Sequence, residues 1–388
     1  MPAPRLQGGL RLCRRPLPRY AVSDMELGTK GERKIATTDE KSNRGPWRDV
    51  DEADWQDWRW QLRNRVRTEK LLNELLKDAP EISRLRRAVV RTYPFAVTPY
   101  YFSLMKTQDA GDPIRLQCIP DPREITFSLG GVEDPLEEGR DMPLPGLIHR
   151  YADRCLAMVT HTCMMYCRHC NRKRFWKAGK AEKARLGAMI DYVAATPGIR
   201  EVIVSGGDPL TLPEPVLDSF LGALRAIPHV EVLRLGSRVP VVLPMRITPS
   251  LVRMLRKHRP LWFNTQFNSP RELTKEAALA CRRLVDAGIP LSNQSVLLRG
   301  VNDTCETMRE LLYGLQRISV RPYYLFACDP VRGADHFRVD LWKGMEMMER
   351  ISRSTSGLCV PRYVMDVPGG KGKMPLQTFS LLNDSFLS

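Results

Sequence analysis

Long apolar runs are missing from this 388-residue sequence: none reaches the ~18 residues that a membrane-spanning helix needs. A secretory signal is missing as well. Residues 1–24 hold five arginines and no acid before Asp24, but no continuous apolar core. An Arg-rich, acid-poor start of this kind reads as a disordered extension, a start set upstream of Met25, or a transit peptide. Histidine is scarce, at six residues, and aromatic residues make up 7%. Acids are outnumbered too, 44 against 60 lysines and arginines, for a net charge of +16. Such a balance bears on association and not on fold. The basic residues are scattered and form no single stripe, so no dedicated nucleic-acid role is expected.

Ten cysteines in a chain this long do not make a disulfide framework, and their use points to a reducing compartment, the cytoplasm. Cys118, Cys155, Cys281, Cys328 and Cys359 sit in apolar contexts and read as small buried hydrophobes. Three others do not. HTCMMYCRHCNRKRF (161–175) places Cys163, Cys167 and Cys170 four and then three residues apart, with no fourth ligand beside them. A structural zinc normally takes four protein ligands. Three thiolates suit an iron–sulfur cluster in which one iron stays free for a small molecule. Zinc with a distant fourth ligand, or three unrelated core cysteines, are the alternatives. Arg168, Arg172, Lys173 and Arg174 flank the thiols, where they would favour thiolates and offset a cluster's negative charge.

Residues 46–92 read as helical, with Trp55, Trp58 and Leu62 on one face. Residues 93–145 are rich in Pro and Gly and read as a linker or wrapping segment. From residue 155 short apolar runs recur: CLAMVTH (155–161), EVIVSGG (201–207), VEVLRLGS (230–237), LWFNTQFN (261–268), IPLSNQSVLL (289–298) and RPYYLFA (321–327). After the first gap they begin about thirty residues apart, one strand–helix unit each. Asp303, with Glu306 three residues on, is the expected cap of one intervening helix. Six units argue for parallel strands with outer helices. The expected fold is α/β, an incomplete parallel (β/α)6-type TIM barrel spanning 146–365. An extension expected to be disordered (1–45) and a helical, wrapping region (46–145) precede it, and a lysine loop and tail (366–388) follow. Parallel barrels carry their sites at the C-terminal ends of strands, and each polar motif here follows an apolar run.

Two further motifs carry chemistry. VSGGDPL (204–210) combines Ser205, Gly206 and Gly207, which permit close backbone approach, with Asp208, which can cap the next helix. RYVMDVPGGKGKMPL (362–376) is a glycine-rich loop carrying Lys371 and Lys373. A lysine at a barrel mouth can form a Schiff base once it sheds its proton.

The cysteine motif resembles that of the radical S-adenosylmethionine (SAM) superfamily. From about residue 90 to 380 the chain resembles the lysine 2,3-aminomutase family within it. The resemblance runs through HRYADRC, CMMYCRHCNRKRF, SGGDPL, GSRVPVVLPMRIT, NQSVLLRGVND, RPYYLFACD and DVPGGKGK. It implies three cofactors: a 4Fe-4S cluster on Cys163, Cys167 and Cys170, SAM, and pyridoxal 5'-phosphate (PLP). Ser205, Gly206, Gly207 and Asp208 then stand on the SAM side, and Gln294 is a further implied cofactor contact. Lys373 is the Schiff-base lysine, and Lys371 stands where a glycine is usual. Arg150 and Arg154 are the implied PLP phosphate contacts, with Tyr151 beside the cofactor. Arg172 is the implied partner of the substrate carboxylate. Asp329 and Asp366 would receive a cationic side chain, which disfavours glutamate and fits migration of the amino group of L-lysine from C2 to C3. Arginine as substrate is the alternative, and a nucleic-acid-modifying radical SAM enzyme is a more distant one.

The resemblance further implies a flavodoxin- or ferredoxin-type electron donor and a dimer or tetramer. Gln266 stands where relatives often have histidine near SAM. No cysteine follows Cys359, so the structural zinc of clostridial-type members is not expected here.

Overall fold

The computed structural model describes residues 44–107, 109–176, 183–367, 369 and 371–376. The expected disordered extension therefore lies almost wholly outside the described residues, as does the tail after Leu376. No helix among the described residues is long and apolar enough to cross a membrane.

The region before the barrel is helical in short pieces and does not form one amphipathic rod. Asp57 ends the helix Glu52–Gln56, and its carboxylate then caps Trp58–Arg63 by accepting from the Arg59 and Trp60 amides. Trp55 is buried, while Trp58 and Leu62 are half-buried, so the expected shared face is broken at that cap. Two longer helices follow, α1 (Glu69–Leu76), capped by Thr68, and α2 (Pro80–Thr92), started by a proline.

The barrel is a nine-stranded sheet whose spatial order is its chain order. Its strands are β1 (Leu147–Tyr151), β2 (Arg154–Thr160), β3 (Glu201–Gly206), β4 (Val232–Gly236) and β5 (Leu261–Thr265). They continue with β6 (Leu291–Leu297), β7 (Arg321–Ala327), β8 (Arg362–Asp366) and β9 (Lys373–Pro375). Strands β2 to β8 run parallel, and β1 and β9 pair antiparallel at the two ends. The six apolar runs are β2 to β7. The outer helices are α3 (Lys183–Ala194), α4 (Glu214–Arg225), α5 (Pro249–Arg256), α6 (Lys275–Asp286), α7 (Cys305–Arg317) and α8 (Leu341–Ser354). This is the incomplete barrel that the rhythm predicts, extended by one further parallel strand, β8. Residues 362–366, which are not among the six apolar runs, form that strand because Tyr363 and Val364 are buried, Tyr363 against Gly344 of α8.

Side chains alternate across each strand. Val202 and Val204 of β3 and Leu233 and Leu235 of β4 are buried in the core, while Ile203, Ser205, Arg234 and Gly236 line the barrel interior. Thr304, not Asp303, caps α7, accepting from the Thr307 amide. Asp303 instead accepts from the Gly300 amide and from Lys343. Cys118, Cys155, Cys281 and Cys359 are buried as expected; Cys328 is half-buried against a satellite cluster that includes Leu298 and Phe337.

Residues 93–145 pack onto the barrel, with Tyr101, Phe102, Ile114 and Cys118 in the main core. They also bring buried charge. The Glu124 carboxylate accepts from Arg168 Nε at 2.8 Å, Arg168 Nη2 at 2.6 Å and Lys173 Nζ at 2.8 Å. Burial works to raise the Glu124 pKa, yet the two cations hold it below the usual carboxylate range. Removing one partner from such a group strands the others. Glu124→Gln should therefore lower unfolding stability by about 3–5 kcal/mol, read by denaturant titration; a loss under about 1 kcal/mol would show that the cations find other partners.

Candidate active site

A cavity of about 370 Å³ opens at the C-terminal ends of the parallel strands. Its wall holds Cys163, Cys167, Cys170, Arg172, Ser205, Gly206, Gly207, Asp208, Gln294, Asp329, Asp366 and Lys373. Arg150, Tyr151 and Arg154 are outside that wall.

The cysteine loop leaves β2 and is held by backbone contacts from both sides. Arg65 Nη1 donates to the Cys163 carbonyl at 2.8 Å, the Tyr166 amide to Ala96 O at 3.1 Å, and the Arg168 amide to Gln117 O at 2.8 Å. From the barrel side, the Gly207 amide donates to Thr160 O at 2.6 Å and the Asp208 amide to Thr162 O at 2.8 Å. A Cβ on Gly207 would lie 2.3 Å from Thr162 O, and Gly206 sits at φ +126°. The close approach that these glycines permit is thus to the start of the cysteine loop, a use the sequence did not reveal.

Burial raises the pKa of Cys163 and Cys170, and the neighbouring thiols raise both further. Of the cations expected to offset them, Arg172 and Lys173 do work to lower Cys170, and the Arg172 amide donates to its Sγ at 3.4 Å, but all four side chains pair with carboxylates. Arg168 and Lys173 pair with Glu124. Arg172 and Arg174 pair with Glu138, each through an Nη2 contact of 2.6 Å. The cation on sulfur is Arg238, whose Nη1 donates to Cys167 Sγ at 2.8 Å. Glu272 Oε1, at 2.6 Å, and Gln117 Oε1, at 2.5 Å, fix its Nη2. Among the described residues no three Cys, His, Asp or Glu side chains converge on a point that a single metal ion could fill. Three thiols lining one cavity suit a cluster that takes one cysteine sulfur per iron.

Asp208 caps the short turn Pro209–Thr211, accepting from the Leu210 amide at 3.0 Å. It also accepts from Ser237 Oγ at 2.8 Å and the Arg238 amide at 3.0 Å. Burial raises its pKa to about 6 against those hydrogen bonds. Asp208 therefore orients the segment that presents Arg238. Gln266 Nε2 lies 3.0 Å from His169 Nε2 on the same wall. His169 Nδ1 and Thr265 Oγ1 are buried there without a protein partner, two polar atoms that a bound cofactor could satisfy.

In the same cavity, the β8–β9 hairpin sets Lys373 across from Asp366, with Nζ 2.9 Å from Asp366 Oδ1. Phe326 lies 5.3 Å from Nζ. Lys371 is exposed and outside the cavity wall. A Cβ on Gly372 would lie 3.2 Å from the Tyr151 hydroxyl, so Tyr151 borders the lysine loop. The Arg154 guanidinium lies 3.8 Å from the Tyr151 ring centre and pairs with Asp153. Arg150 is held by Asp141 and the Leu136 carbonyl. Asn171 donates to Asp329 Oδ2 at 2.8 Å. Burial and then Asp366 push Asp329 up to about 7, against that hydrogen bond. Glu138, almost fully buried, is held down to about 2 by Arg172 and Arg174 even though burial opposes ionisation. Glu124, Glu138, Asn171 and Arg238 were not identified from the sequence. Arg238 lies in a run that carries the family resemblance, whereas Glu138 sits in a stretch that reads only as turns.

Comparison with known proteins places this geometry. The Radical SAM superfamily signature covers residues 158–312. L-lysine 2,3-aminomutase of Clostridium subterminale is 48% identical over 343 residues, 87% of this chain and 82% of that one. The Bacillus subtilis L-lysine 2,3-aminomutase is 44% identical, across 87% of this chain and 72% of its own. Glutamate 2,3-aminomutase of Clostridioides difficile is 40% identical, across 84% and 77%. With three cysteines and a paired lysine facing one barrel cavity, and identity of this extent, the chain belongs to the lysine 2,3-aminomutase family of radical SAM isomerases.

Proposed function

We propose that the protein moves the α-amino group of L-lysine from C2 to C3, giving β-lysine, with a 4Fe-4S cluster, SAM and PLP as cofactors. The observation that carries the substrate reading is the pair Asp329 and Asp366. Both line the cavity that also holds the three thiols and Lys373. Two carboxylates in one cavity repel, and Asp329 is raised to about 7 by burial and by Asp366. A side-chain ammonium relieves that repulsion; a side-chain carboxylate would add to it.

Cys163, Cys167 and Cys170 would each hold one iron, with Ser205, Gly206, Gly207 and Asp208 on the SAM side and Gln294 as a further cofactor contact. Lys373 would hold PLP through Nζ, Tyr151 would stand beside it, and Arg150 and Arg154 are the proposed phosphate partners. When bound, cluster and SAM supply the radical that takes hydrogen from C3, while PLP supplies the carbonyl carbon that carries the migrating nitrogen. The chain's own part is placement. Asp366 Oδ1 accepts from Lys373 Nζ at 2.9 Å and so sets where that amine sits in the cavity. Arg172 takes the substrate carboxylate, and Asp329 with Asp366 takes the far ammonium, so the two ends fix C2 and C3 between them. Arg238 offsets thiolate charge from inside the barrel. The enclosing wall, with Phe326 and Val296, keeps water from the reacting carbons. We further place the protein in the cytoplasm as a dimer or tetramer served by an electron donor of the flavodoxin or ferredoxin type.

Reduced protein with the three cofactors should convert L-lysine to β-lysine; faster turnover of L-arginine would replace lysine by a guanidinium substrate. Borohydride reduction and peptide mapping should place the pyridoxyl group on Lys373, and a label on Lys371 would shift the register. The pH dependence has a defined sign. Asp329 is neutral below about 7 and ionised above it, and the ammonium needs the ionised form, so lysine affinity should rise as pH climbs through that range. Asp329→Asn should flatten that rise and cut kcat/KM by about two to three orders of magnitude. An unchanged pH profile in the variant would remove Asp329 from substrate recognition.

A further inference from the structure

Arg172 reaches the cavity already engaged. Its Nε donates to both Glu138 oxygens, at 3.0 and 3.1 Å, and its Nη2 donates to Oε1 at 2.6 Å. This pairing uses the Nε–Nη2 edge of the guanidinium fork. Nη1 has no hydrogen-bond partner among the described residues, so the Nη1–Nη2 end can still take a second carboxylate.

Glu138 is itself firmly held. Its side chain is 5% exposed, and it also accepts from Arg174 Nη2 at 2.6 Å. The segment that carries it is tied to both substrate-side loops. The Val132 amide donates to Pro330 O and the Arg332 amide to Val132 O, both at 2.9 Å, beside Asp329. The Gly369 amide donates to Pro135 O at 3.4 Å in the lysine loop, and Asp141 holds Arg150 at 2.5 Å. Glu138 thus fixes Arg172 in the same frame as Asp329 and Lys373.

We propose that Glu138 is a positioning residue: it sets the plane of Arg172 and leaves the Nη1–Nη2 end open for the α-carboxylate of the substrate. The inference rests on the reading of Arg172 as the carboxylate partner. Glu138 does not touch substrate. It removes the rotamer freedom of a long side chain before substrate arrives, so that less is lost on binding.

The test uses the holoenzyme. Glu138→Gln keeps the shape and removes the charge. KM for L-lysine should rise about ten- to a hundred-fold while kcat changes by less than about threefold. Glu138→Asp, which keeps the charge, should recover part of that loss. Calorimetric binding of L-lysinamide, which has no carboxylate, should be equal in parent and Glu138→Gln. An unchanged or lower lysine KM in Glu138→Gln would overturn the proposal, as would an equal weakening of lysinamide. Arg172→Met separates the two readings. If it raises KM while Glu138→Gln does not, the role of Glu138 alone fails; if it leaves KM unchanged, the carboxylate reading of Arg172 fails and takes this one with it.

Discussion

Four cations, Arg168, Arg172, Lys173 and Arg174, crowd the short loop that carries the three thiols, and carboxylates from a distant stretch of chain hold them in place. Glu124 takes Arg168 and Lys173 deep in the core; Glu138 takes Arg172 and Arg174 nearer the cavity. A buried cation without a partner costs several kcal/mol, so the loop can take its position only when residues 93–145 have wrapped the barrel. The wrapping segment is therefore part of the site's construction. The cation left for the sulfurs is Arg238, which arrives from the end of β4 and not from the loop itself.

The cavity combines two kinds of chemistry. Toward the cysteine loop the chain provides soft sulfur donors and a buried guanidinium. It also provides Lys373 and two carboxylates, of which Asp329 is raised by burial and by Asp366. Asp366 faces both ways, paired with Lys373 at 2.9 Å and raising Asp329. A lysine-like substrate matches this layout because it carries a carboxylate, a reacting amine and a far cation on one flexible chain.

What could be read from the sequence follows the range of the interactions. Buried parallel strands are continuous apolar runs, so six of the seven could be read directly. The seventh, Arg362–Asp366, is five residues with a charge at each end, running into a glycine-rich loop, and only its packing under α8 reveals it. The helix break at Asp57 and the cap at Thr304 are local competitions between neighbouring capping residues, which pattern alone does not decide. The cysteines announce themselves because all three fall within eight sequential positions, 163–170. Glu138 and Arg172 are 34 residues apart, Glu124 and Arg168 are 44, and Arg238 and Cys167 are 71. Contacts at those separations leave no local signature.

The central claim is that one cavity serves both an iron–sulfur cluster and PLP for a cationic amino acid. The most direct measurement is the visible absorption spectrum of the anaerobically reconstituted protein, recorded before and after adding amino acids. Broad iron–sulfur absorption and a PLP band should both be present, and the PLP band should shift with L-lysine and not with L-glutamate. A colourless protein, or a PLP band that shifts with glutamate and ignores lysine, would contradict the account.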